Sequence, residues 1–168
     1  MKPAILVTIL LVGLTYPSIG QPAQDNKAIV ALQSELIQSL TKSDTTGFLS
    51  LVSPSGVSFG VDGDRESKDQ ILAQFNRKEG AYCVLFDSKC LLRKAGSKSD
   101  SNVCSVRDLV SGTNQWSIEH RTGQHEGMSQ IYLTLKPNNE SCSNGRHPID
   151  FVFTRFVEGW KLVAVPYT

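Results

Sequence analysis

The stretch Pro148 to Tyr167, PIDFVFTRFVEGWKLVAVPY, decides the fold. Ile149, Phe151, Phe153 and Arg155 alternate with Asp150, Val152, Thr154 and Phe156, which is the period of an extended strand. Glu158-Gly159 supplies a turn pair, and Trp160 to Val165 returns as a second β-rich run. Two such runs joined by a glycine-containing pair predict a hairpin. Apolar groups stand in both phases of the first run, so the hairpin is expected inside a sheet with neighbours on each side.

Upstream of it, Gln115 to Arg121 and Met128 to Lys136 read as two further strands. The connection Pro137 to His147 is rich in turn formers. Ser105 to Val110 is expected to make one or two helical turns, and Ser88 to Val103 is polar except for Leu91-Leu92 and carries the least sign of order. Ala81 to Phe86, AYCVLF, is too short for its period to separate strand from helix. Ser67 and Gln70 form a capping box for a helix carrying Ile71, Leu72 and Phe75 and ending by Gly80. Val57, Phe59 and Val61 alternate as a half-buried strand. Before it, Ser43 or Asp44 caps a short helix of Phe48, Leu49 and Val52, which Pro54 stops. Ile29, Leu32, Leu36 and Leu40, widened by Ile37, mark a long amphipathic helix with Asp25 as its cap. There are no repeats and no linker.

Ala4 to Leu14 is an unbroken, mostly apolar run behind Lys2, followed by the small residues Ser18 and Gly20. That layout predicts a secretory signal peptide over residues 1–20, too short to anchor in a bilayer, and a secreted or periplasmic location. Residues 21–168 are a normal size for one domain. Lys2 is the one charge in the removed segment, so 17 basic and 16 acidic residues become balanced. A neutral chain offers no electrostatic footprint for nucleic acid or an anionic membrane. Cys83, Cys90, Cys104 and Cys142 all lie in the exported part, an even count that predicts two disulfides. Three pairings are open; the preferred one is Cys90–Cys104, closing the Lys/Ser-rich loop, with Cys83–Cys142. Zinc lacks a C-x2-C spacing, and no cofactor motif is present.

A long helix, a short helix, a strand, a helix and then antiparallel strands follow in order. Asp44 to Val61 and Phe153 to Val165, above all Gly159-Trp160-Lys161-Leu162, carry a resemblance to the NTF2-like superfamily, also called cystatin-like, with its SnoaL-type and ketosteroid-isomerase-type members. The resemblance implies an α+β fold: N-terminal helices packed on a curved antiparallel sheet, with a conical cavity that some members use for catalysis and others only for binding. Fold alone does not choose between these.

Trp116, Ile118 and His120 share one phase of their strand, which places His120 beside such a cavity as a proton donor or acceptor; the simpler reading is a strand-end histidine in solvent. Tyr82 and Tyr132 could supply hydroxyls to a ligand. Asp150 and Asp108 are the acids near apolar sequence, yet no spacing links either to a tyrosine. Cys142 and His147 stand five residues apart, but export favours a disulfide over a thiol nucleophile. His125 and His147 fall in glycine-containing loops. Asp62, Asp64 and Glu66 suggest calcium only superficially, because the glycine is misplaced for an EF-hand loop. Asn139-Glu140-Ser141 is a glycosylation sequon. Phe151, Phe153, Phe156 and Trp160 read as sheet core or a dimer face. The expectation is an exported, non-catalytic binding domain for a small ligand or protein partner, dimeric through its sheet. The alternatives are an isomerase, cyclase or dehydratase working in the cone, and a secreted inhibitor acting through loops.

Overall fold

The computed structural model describes residues 22–60, 63–95, 102–111, 116–125, 127–145 and 147–166, without the side chains of 22–25, 94–95, 116–120 and 124–125. The signal-peptide reading lies outside the described residues. Helix α1, Pro22–Thr41, turns Ile29, Leu32, Leu36 and Leu40 into the core. It begins at Pro22, so Asp25 falls within its first turn and is not its cap; proline's missing N–H costs nothing at the first helical position. Asp44 does cap α2, Thr45–Leu51, accepting from Gly47 N at 2.9 Å. After Pro54 the chain enters β1, Val57–Phe59, and β2, Arg65–Glu66.

The expected capping box opens α3, Lys68–Arg77: Gln70 N donates to Ser67 Oγ at 3.2 Å, and Ser67 N donates to Gln70 Oε1 at 2.7 Å. Ile71 and Phe75 are buried, whereas Leu72 is 43% exposed and stands outside the core. The left-handed residue closing α3 is Lys78; Gly80 instead precedes α4, Ala81–Phe86, whose first N–H is taken by Gln74 Oε1 at 2.6 Å. AYCVLF is thus helical. Asp87 accepts from Lys89 N and Cys90 N and starts α5, Ser88–Ala95, in the stretch that read as least ordered. Helix α6, Val106–Ser111, follows.

Strands β3, Trp116–His125, and β4, Met128–Pro137, pair in register over their full length. β5, Ile149–Phe156, and β6, Gly159–Val165, form the hairpin read from the sequence. Its turn is Val157-Glu158, one residue earlier than expected. Neither turn residue has positive φ, while Gly159 takes φ +110°, so the glycine follows the turn and opens β6. The described sheet runs β2-β1-β6-β5-β4-β3. It is antiparallel except at β1–β6, which is parallel. A register shift at Val152/Phe153 leaves Val163 unmatched, and such a bulge bends a sheet. Ile131, Leu133, Leu135, Ile149, Phe151, Phe153 and Leu162 face the helices across the concave side. The chain is α+β, with helices on a curved, open, antiparallel-rich sheet.

Helices α2, α3 and α4 meet in an aromatic cluster. Phe48, Phe75 and Phe86 are buried with ring centroids 5.6 to 6.1 Å apart, and Tyr82 closes the cluster against Phe75 and Phe86. The disulfides correct the preferred pairing. Helices α4 and α5 meet at Asp87, so Cys83 and Cys90 face one another across the corner with Cα atoms 5.2 Å apart. Cys104 bonds instead to Cys142, at 5.6 Å, because its segment is sewn onto the loop before β5. Cys104 N donates to Asn144 Oδ1 at 3.0 Å and Asn144 Nδ2 returns a bond to Cys104 O at 2.8 Å.

Candidate functional site

The structure does not gather the residues proposed from sequence. Tyr82 sits on α4, half-buried beside Asp87, Ser88, Lys89, Arg107 and Asp108. Tyr132 lies on the convex face of the sheet, donating its hydroxyl to Gln130 Oε1 at 2.8 Å under the Arg121 guanidinium, 5.1 Å from its ring. The two tyrosines are therefore on opposite sides of the sheet. Trp116 and His120 pair through their backbones with Pro137 and Leu133; their side chains, and that of His125, lie outside the described residues.

Both candidate acids are engaged elsewhere. Asp150 accepts from Thr134 Oγ1 and from Arg121 Nη2, on the convex face. Asp108 accepts from Ser88 Oγ, from Ser105 Oγ at 2.8 Å, and from Arg107 Nε and Nη2 at 3.2 and 3.0 Å. Arg107 also reaches Ser43 Oγ at 3.2 Å, so the cluster bolts α5 and α6 to the α1–α2 turn. Partial burial pushes the Asp108 carboxyl up, but the hydrogen bonds from Ser88, Ser105 and Arg107, with the arginine's charge, outweigh it and hold the pKa below the ordinary value. A carboxylate lowered in this way is a weak base.

It is also a source of stability with a defined pH range. A group whose pKa is lower in the folded chain stabilises it above the unfolded value, about 3.9, and that contribution is lost as pH falls through the folded value. Asp108→Asn should cost about 1–2 kcal/mol at neutral pH, the lower end reflecting its partly exposed side chain. Urea unfolding should show the gap to wild type narrowing below about pH 4. A gap unchanged across that range would mean that charge on Asp108 contributes nothing.

No metal site forms among the described residues. Asp62 lies outside them, Glu66 accepts from Gln74 Nε2 at 2.6 Å, and all four cysteines are in disulfides, which also removes Cys142 as a nucleophile.

What the fold does assemble is an apolar cavity of about 300 Å³ between the helical layer and the start of β5. Val84 comes from α4, Leu91 from α5, Val103 and Cys104 from the segment before α6, Val106 from α6, and Pro148 and Ile149 from the entry to β5. Asn144 and His147 provide the polar groups of the lining, and His147 is exposed to solvent. On one flank residues 139–145 are tied internally, by Asn139 N to Gly145 O, Cys142 N to Asn139 O and Gly145 N to Cys142 O. A Cβ on Gly145 would meet Asn139 O at 1.7 Å, so that close approach requires glycine. A second cavity of about 340 Å³ opens at the far end of β5, between Ile29, Thr122, Ser129, Ile131, Arg155 and Trp160. It is more polar and more open to solvent.

No protein-family model matches the chain, and no curated protein matches it in sequence. Solved structures do match in shape. One is a protein of unknown function with a cystatin-like fold from Nostoc punctiforme PCC 73102, at 16% identity over 86% of this chain and 90% of that one, TM-score 0.46. Another is an NTF2-like protein of unknown function from Shewanella baltica OS155, at 14% identity over 89% of this chain and 96% of that one, TM-score 0.45. Those two structures are described as cystatin-like and NTF2-like.

Proposed function

We propose that this chain is an exported, non-catalytic binding domain that holds a small, mainly apolar ligand in the cavity lined by Val84, Leu91, Val106 and Ile149. The observation that carries the reading is the cavity itself: apolar walls from five segments, two polar side chains, and an internally hydrogen-bonded loop on one flank. Its volume lies at the lower end of small-molecule sites, so the ligand is of the size of an indole or a short alkyl alcohol. A non-catalytic role is supported by the closely packed phenylalanine cluster of α2, α3 and α4 and by the engagement of Asp108 and Asp150 with neighbouring donors. No helix among the described residues is long and apolar enough to cross a membrane, and two disulfides fit an oxidising compartment.

Thermal unfolding of the oxidised chain with indole and with 1-hexanol tests this. At a hundredfold excess over the dissociation constant a bound probe adds about 2.7 kcal/mol, which raises Tm by roughly 5–10 °C for a domain of this size. Val84→Trp, which fills the cavity, should abolish the rise while leaving the far-UV spectrum unchanged. Ile29→Trp, at the other cavity, should preserve it. A rise that survives Val84→Trp, or no rise with either probe, would remove the assignment.

A further inference from the structure

The loop before β5 holds a chemically labile pair. Asn144-Gly145 is the one Asn-Gly step in the sequence. At such a step the side-chain amide is open to attack by the next backbone nitrogen, because glycine has no Cβ to crowd the approach. The fold nevertheless requires both residues. Glycine is needed at 145, where a Cβ would meet Asn139 O at 1.7 Å. Position 144 needs an acceptor and a donor on one short side chain: Oδ1 accepts from Cys104 N at 3.0 Å, and Nδ2 donates to Cys104 O at 2.8 Å.

The same contacts hold the two reacting groups back. The Asn144 amide is clasped to the Cys104 backbone, and the N–H of the buried Gly145 is donated to Cys142 O at 2.9 Å. Attack must break the clasp and free that N–H, so it proceeds only from an opened loop. Cys104, which receives the clasp, and Cys142, which accepts from Gly145, are the two ends of one disulfide. We propose that Asn144 is a latent modification site gated by this bridge. It is shielded while the disulfide is closed, and converted to aspartate or isoaspartate once a dithiol reductant opens it. In the step, the Gly145 nitrogen gives its proton to a solvent base and bonds to Asn144 Cγ. The Cγ–Nδ2 bond breaks, Nδ2 takes a proton from solvent and leaves as ammonia, and one water opens the cyclic imide. The carboxylate so formed has no N–H to give Cys104 O, so the clasp does not re-form and the change runs one way.

Peptide mapping by mass spectrometry, following conversion at position 144 over time in mildly alkaline buffer, tests this. The urea-unfolded chain sets the unshielded rate. The oxidised folded chain should react at least about tenfold more slowly, since the two bonds to Cys104 and the one to Cys142 must open first. Wild type held in dithiothreitol and Cys104→Ala/Cys142→Ala should both recover most of the unshielded rate. Cys83→Ala/Cys90→Ala leaves the loop bridged and should keep the slow one. The contrast holds whether the loop opens alone or with the rest of the domain, because either puts the Gly145 N–H in water. On re-oxidation from the reduced state, Asn144→Asp should recover less of the Cys104–Cys142 cross-link than wild type. An oxidised chain reacting at the unshielded rate overturns the proposal, as does a Cys104→Ala/Cys142→Ala chain as slow as the oxidised one, or equal fast rates in the two double variants. Full recovery of the cross-link by Asn144→Asp overturns the one-way step.

Discussion

Phe48→Ala should lower the unfolding free energy by about 3–5 kcal/mol and Tm by roughly 10 °C. The ring is fully buried, 6.0 Å from Phe75 and 6.1 Å from Phe86, with its planes tilted or perpendicular to theirs. Removing it forfeits the transfer free energy of the ring, and adds a cavity where α2, α3 and α4 converge. The surroundings have little freedom to collapse, since Leu36, Leu40, Ile71, Leu85, Phe151 and Phe153 are themselves fully buried. Urea unfolding should show a lower midpoint at an unchanged slope, the sign of lost stability without a change in the denatured state. The size of the loss also distinguishes a packed aromatic cluster from an open pocket. A ring lining a solvent-filled pocket would cost well under the core range, because the truncated side chain would be replaced by water. A loss below about 1 kcal/mol would therefore mean that this cluster lines a solvent-filled pocket.

The parts of the fold that were legible before any coordinates are those where one local pattern decides alone. The final hairpin shows period-2 alternation over eight residues and a glycine at its turn; only the turn's position moved, because glycine serves the residue after the turn as well as the turn itself. Helix α1 shows four core residues at helical spacing, and Ser67 with Gln70 is a reciprocal pair that few other conformations can use. The middle of the chain lacks such signals. AYCVLF has no second turn over which a period could show. In α5 one side chain, Asp87, does the capping and one residue, Cys90, is buried, with Leu91 half-buried beside it, amid lysines that read as loop. Cysteine spacing cannot rank three pairings when the deciding contact is Asn144 on Cys104, forty positions apart.

The candidate site was less legible than the fold, for a related reason. Its cavity draws single apolar residues from positions 84, 91, 103, 106 and 149, each unremarkable in its own segment and meaningful only once the helices turn back on β5. Sequence reasoning went instead to groups with intrinsic chemistry. It chose Tyr82 and Tyr132, which the sheet separates, and His147 carried least weight although it lies on the cavity. The one available signal was the cysteine at 104 beside two valines, at 103 and 106, in a polar stretch; it marks a buried, covalently fixed segment between two helices.

That fixed segment should dominate the chain's response to reduction. The Cys104–Cys142 bridge closes a loop with a sequence separation of 38, and the Cys83–Cys90 bridge one of 7. On the chain-entropy relation the first contributes about 3.9 kcal/mol and the second about 2.4. The double variant Cys104→Ala/Cys142→Ala should therefore lose about one and a half times the stability of Cys83→Ala/Cys90→Ala in guanidinium unfolding. It should also lose thermal-shift responses to indole, because Cys104 and Asn144 both line the cavity and the loop that holds Asn144 is no longer tethered. The Cys83–Cys90 variant should keep them, since that bridge joins α4 to α5 without lining the cavity. Peptide mapping without reductant supplies the prior condition, a Cys104–Cys142 cross-link and a Cys83–Cys90 cross-link. Should the two double variants prove equally stable, loop closure is not what holds the segment, and the hydrogen bonds between Cys104 and Asn144 carry it by themselves.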